Sequence, residues 1–169
     1  MGGRSAAHFC FMDSLIQTFD RRFVEIDSRA RGLLSALNDE NLFQRPRKLS
    51  NSLIAFSVAE YLIRSAAVVE QAFGGITTRL WDDPFEWTLP EKLSTIKAIT
   101  IYLNEVAAAR KRGMAFLSSD ADLTSQIPAP EKLRSIGEIL LAAACSAEHY
   151  QGRAFALYQV MNDMPLPRI

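Results

Sequence analysis

Ser57-Val-Ala-Glu60-Tyr-Leu-Ile63 sets a serine three residues ahead of a glutamate and opens directly into an apolar run. This is a capping box: the hydroxyl accepts from the third helical amide, and the glutamate reaches back to the cap amide. The pattern recurs at Thr88-Leu-Pro-Glu91 and Ser135-Ile-Gly-Glu138. Three such helix starts, with a further helix-period segment near the N-terminus, predict an all-α four-helix bundle.

Working outward from the boxes, the apolar stripes give the helices their extents. Leu15, Phe19, Phe23, Ile26, Ala30, Leu33 and Leu37 alternate in steps of three and four, predicting helix 1 over about 13–38, capped by Asp13 or Ser14. Helix 2 is expected from Asn51 or Ser57 to Phe73, on a stripe of Val58, Leu62, Ser65, Val69 and Phe73, with Gly74-Gly75 closing it. Helix 3 is expected from Pro90 to about Ser118, since proline suits a first turn. Helix 4 runs from Ser135 to about Asn162, on Ile136, Leu140, Ala143, Ala147, Tyr150, Ala154, Leu157 and Met161. No segment carries a strand signal. The loop 76–90 holds Trp81, Phe85 and Trp87, rings that suit plugging a bundle end better than awaiting a ligand. Arg110-Lys111-Arg112 reads as a solvated face.

Composition narrows the function. The 169 residues suit one domain over 12–169, and residues 1–11 read as a leader without periodicity. Lys plus Arg number 19 and Asp plus Glu number 19, so no global field favours nucleic acid. The longest apolar run, Ile139 to Ala147, is far below the about 20 residues a membrane span needs. Two cysteines give no disulfide framework and no secretion signal is evident, so the cytoplasm is the expected compartment. Catalytic side chains are scarce: His8 and His149 are the histidines, and neither a glycine-rich phosphate loop nor a Glu-x-x-His pair occurs. Cys145 and His149, four apart on helix 4, share one face and would give a metal two ligands. A catalytic site generally takes three, so another helix must supply one.

Ser57-Val-Ala-Glu60-Tyr-Leu-Ile-Arg64 through Glu70 resembles helix 2 of the DinB-like (DinB/YfiT-like) superfamily of metalloenzyme-type bundles, and Ala147-Glu148-His149-Tyr150-Gln151-Gly152-Arg153 resembles its final-helix motif. The resemblance spans most of residues 12–162. It implies an up-down-down-up course and a homodimer, with relatives that include thiol-dependent transferases and isomerases. In such proteins a metal is held by one His of helix 2 and a His-x-x-x-His pair of the last helix. Those positions fall on Arg64, Cys145 and His149. Only His149 keeps the family's residue, and a guanidinium cannot ligate.

The resemblance therefore implies a degenerate metal site. No cofactor is expected; the alternative is a divalent metal (zinc or nickel) on His149 and Cys145, with Glu60 as a third donor. The leading reading is a non-catalytic, homodimeric protein with a pocket of Arg64, His149 and Glu60 for a small anionic ligand, Arg64 pairing with Glu148, Glu60 or Glu105. The alternatives are a divergent metal- or thiol-dependent transferase or isomerase, and a partner-binding module that exposes its aromatic loop.

Overall fold

The structure, a computed structural model, describes residues 14–45, 56–82, 90–162 and 166. Among these, four α-helices carry the architecture: α1 (Leu15–Leu34), α2 (Val58–Thr78), α3 (Ile96–Met114) and α4 (Ile136–Met161).

Both described capping boxes form as read. The Ser57 hydroxyl accepts from the Glu60 amide at 3.2 Å while Glu60 takes the Ser57 amide at 2.6 Å. Ser135 and Glu138 repeat the arrangement at 3.2 and 2.9 Å. Ser14 caps α1 with Gln17 as its reciprocal partner; Asp13, the other cap considered, lies outside the described residues. The first two amides of α1, those of Leu15 and Ile16, donate to the Asp120 carboxylate at 2.9 and 3.1 Å. A carboxylate there satisfies otherwise orphaned donors and complements the helix dipole.

Four boundaries differ from the sequence expectation, each for a local reason. Helix α1 stops at Leu34, because Asn38 and Asn41 each accept the other's backbone amide at 2.9 Å and so form a turn. Helix α2 does not close at Gly74-Gly75. It runs on to Thr78, and Arg79, with φ 62°, takes the left-handed position. Gly75 answers a packing need instead, since a Cβ there would lie 2.6 Å from three atoms of the Trp81 ring. Helix α3 begins at Ile96 behind a Thr95 cap, with the Ile96 amide donating to Asp39 at 2.8 Å. Pro90–Leu93 is a separate 3-10 turn, and Thr88 lies outside the described residues. Helix α3 also stops at Met114, where Phe116 and Leu117 bond back three residues to Gly113 and Met114 in a tight turn.

A small antiparallel pair corrects the expectation of no strands. Strand β1 (Gln126–Pro128) meets β2 (Leu133–Ser135) with Ile127 opposite Arg134. Three residues with one buried side chain are too few to show an alternating pattern. The Trp81 indole donates to the Pro128 carbonyl at 2.9 Å, so this ring does pack over the bundle end; Phe85 and Trp87 lie outside the described residues.

The course follows from which residues meet. Ser65 of α2 bonds to Ala147 of α4, and Gln71 faces Leu141 and Ala142, so α2 and α4 are antiparallel. Phe19 lies beside Leu141 and Cys145, and Arg29 reaches Glu148, so α1 and α4 are parallel. Arg110 of α3 pairs with Asp20 of α1, while Leu103 lies deeper along α1 toward Ala30, so α3 runs against α1. The result is up-down-down-up. At its centre Phe23, Leu33, Leu62, Phe73, Ile99 and Leu140 are fully buried, each contributing about 1.5–3 kcal/mol of apolar transfer. Phe23 and Phe73 meet edge-on at 5.2 Å between ring centroids. Arg110 departs from the expected solvated run. Lys111 and Arg112 are exposed, whereas Arg110 is buried and paired with Asp20. Among the described residues no helix is long and apolar enough to cross a membrane.

Candidate functional site

The residues singled out in the sequence sit on α2 and α4, which cross closely because small side chains line the contact. Ala143, Ala144 and Ala147 are buried on α4, and the buried Ser65 of α2 donates its hydroxyl to the Ala147 carbonyl at 3.0 Å. Arg64 precedes that serine, and His149 follows that alanine by two positions. Arg64, the α2 position that the resemblance matches to a metal-binding imidazole, thus adjoins the residue that makes the crossing.

Arg64 is half-buried, and its guanidinium carbon stands 4.0 Å above the centroid of the Phe56 ring. A cation over an aromatic face gains about 0.5–2 kcal/mol, more as water is excluded. One turn earlier, Glu60 is occupied at the start of α2. Its carboxylate takes the Ser57 amide and two bonds from Arg45, at 2.6 and 3.3 Å. Burial pushes the Glu60 carboxyl up. The Ser57 amide, the Arg45 guanidinium and the Ser57 hydroxyl together outweigh that, and hold it below the ordinary carboxylate range. Glu60 is thereby committed as a helix cap.

On α4, Cys145 and His149 are both exposed. Cys145 opens on the groove between α1 and α4, beside Phe19, Arg22 and Leu141. The His149 ring meets Tyr150 edge-on at 5.9 Å. Glu148, one of the partners considered for Arg64, turns to α1 instead. It accepts from Arg29 at 3.2 Å and pairs with Arg22 at 3.1 Å. Glu105 is exposed on α3. Sequence reading missed this Arg22–Glu148–Arg29 bridge, the Phe56 platform and the bond from the Tyr102 hydroxyl to Glu70 at 2.7 Å. None has a local signature: the bridge and the Tyr102–Glu70 bond join side chains far apart in the chain, and Phe56 stands before the helix that carries Arg64.

The donor set does not fit the metal that the resemblance implies. Of the three positions, one is a guanidinium that stays protonated and repels a cation, leaving at most a thiolate and an imidazole. Among the described residues, no group of three or more His, Cys, Asp or Glu is gathered as a metal would require.

The helix course and the α2–α4 crossing place the chain among DinB-like folds. It is similar to a crystal structure of a DinB-like protein from Bacillus cereus ATCC 10987, with a TM-score of 0.66 over 94% of this chain and 99% of that one. The sequence identity is 16%, so the likeness is one of fold. No family model and no curated protein matches the chain.

Proposed function

We propose that this chain is a non-catalytic DinB-like bundle protein of the cytoplasm that works as a homodimer and takes a small anion where relatives hold a metal. The observation that carries this reading is the Arg64 guanidinium seated over Phe56 near the start of α2. A fixed positive charge there selects carboxylate or a similar anion and opposes a divalent cation. For the dimer, the support is apolar surface on two neighbouring helices, with Leu15, Val24 and Leu141 exposed.

A second reading, a thiol- or metal-dependent transferase, is favoured by one feature. The Cys145 thiol is free, exposed and one turn from His149. Melting curves and light scattering test the two together. The proposal expects a dimer of 18.9 kDa chains, no change of Tm with chelator, and a rise of Tm with millimolar dicarboxylate or tricarboxylate that Arg64→Gln abolishes. A chelator-dependent fall of Tm would favour the transferase.

A further inference from the structure

The middle of the bundle is not a continuous apolar core. Phe23 and Ile26 of α1, Val69 of α2 and Leu103 of α3 surround a cavity that offers about 20 Å³ to the centre of a water-sized sphere. Four polar side chains line it as well, those of Asp27, Ser65, Arg110 and Gln151. Gln151 of α4 is 2% exposed and Arg110 of α3 is 8% exposed.

Gln151 and Arg110 each bring one polar atom without a hydrogen-bond partner among the described residues: Gln151 Oε1 and Arg110 Nε. The orientation of the Gln151 amide is fixed by its other end. Its Nε2 donates to the Ile26 carbonyl at 2.6 Å, and turning the amide over would set oxygen against oxygen. The Arg110 guanidinium is held by Asp20, which it meets through Nη1 and not through Nε. Buried polar atoms of native proteins are almost always paired, with protein or with ordered water.

We propose that this cavity is a binding site for a single neutral, water-sized hydroxylic molecule, which donates to Gln151 Oε1 and accepts from Arg110 Nε–H. The volume exceeds the roughly 10–15 Å³ that one water needs and excludes anything much larger. Charge argues for a neutral guest. Arg110 is matched by Asp20, and Asp27, which also lines the cavity, is matched by Arg31 at 2.9 Å. Ser65, a further lining residue, has its hydroxyl committed to Ala147. Water is the molecule that meets these limits in size and in hydrogen bonding, and it would tie α4 to α3 through the bundle interior.

A crystal structure of the wild-type protein at better than about 1.8 Å, with a second crystal pressurised in xenon, tests this directly. The expected result is a single peak at about 2.6–3.2 Å from both Gln151 Oε1 and Arg110 Nε, with no xenon entering. Xenon in the cavity, or a protein donor found on Oε1, would overturn the proposal. In solution, oxygen-17 relaxation dispersion of Gln151→Met should show one fewer long-lived water than wild type. An unchanged count in a folded variant would also overturn it.

Discussion

The Ser65 hydroxyl and the Ala147 carbonyl meet at 3.0 Å inside the α2–α4 contact, fastening the two helices to each other. A hydrogen bond of this kind contributes about 1 kcal/mol net. Ser65→Ala should therefore lower the unfolding free energy by about 0.5–1.5 kcal/mol in urea titrations, without a change in slope. Ser65→Leu should lose more, because the added bulk must push the closely packed backbones of α2 and α4 apart.

Two helix glycines should respond in opposite directions. A Cβ on Gly113 would collide with the Phe73 ring, which is buried against Phe23 and has little room to give. Gly113→Ala should destabilise by about 1–3 kcal/mol despite the better helix propensity of alanine. Around Gly32 nothing stands within 4 Å of an added Cβ, so Gly32→Ala should stabilise by about 0.5–1 kcal/mol. Thermal denaturation of the two variants side by side checks both.

Acid should loosen the fold through its caps. Glu60, Glu138 and Asp122 all ionise below their ordinary values. Burial pushes Glu60 up, but the Ser57 amide and Arg45 outweigh it; Glu138 is lowered first by the Ser135 amide, and Asp122 first by the Ser119 amide. In the folded state these groups bind fewer protons than in the unfolded chain, so stability rises with pH across the window. Their contribution is complete above the ordinary Glu value of 4.5 and disappears as pH falls through the depressed folded values. Tm should be level from pH 6 to 7 and fall below about 4.5. Glu60→Gln should lower the plateau and make the acid decline shallower, as circular dichroism melts would show.

The three positions that the DinB-like resemblance matches to metal ligands can be given imidazoles. Arg64→His together with Cys145→His would supply three imidazoles with His149. The double variant is expected to bind one zinc or nickel with at least micromolar affinity, and its Tm should become sensitive to chelator. A double variant that folds and binds no metal would show that positions 64, 145 and 149 do not converge.

Much of the fold was legible because helical period and capping are local. The stripe Val58, Leu62, Ser65, Val69 and Phe73 is buried throughout, and the boxes at Ser57 and Ser135 form. What escaped depends on tertiary contact. Pro-Glu-Lys-Leu occurs twice, at 90–93 as a 3-10 turn and at 130–133 leading from the hairpin bend into β2, so the tetrapeptide alone could not say which. Asp120 caps α1 from more than a hundred residues away, and Gly75 serves the Trp81 ring and not a helix end. For the site, sequence placed Arg64, Cys145 and His149 on the right helices. It could not show that Glu60 is taken by Arg45, that Glu148 turns to α1, or that Phe56 lies under Arg64.

The Arg64 guanidinium should displace a metal from this fold, and elemental analysis of the untagged, purified protein tests that most directly. The expected content is far below one equivalent of zinc, nickel, iron or manganese per chain, because a metal site of this kind takes at least three protein ligands. One equivalent of any of them, lost in His149→Ala, would contradict the proposal that an anion and not a metal is held here.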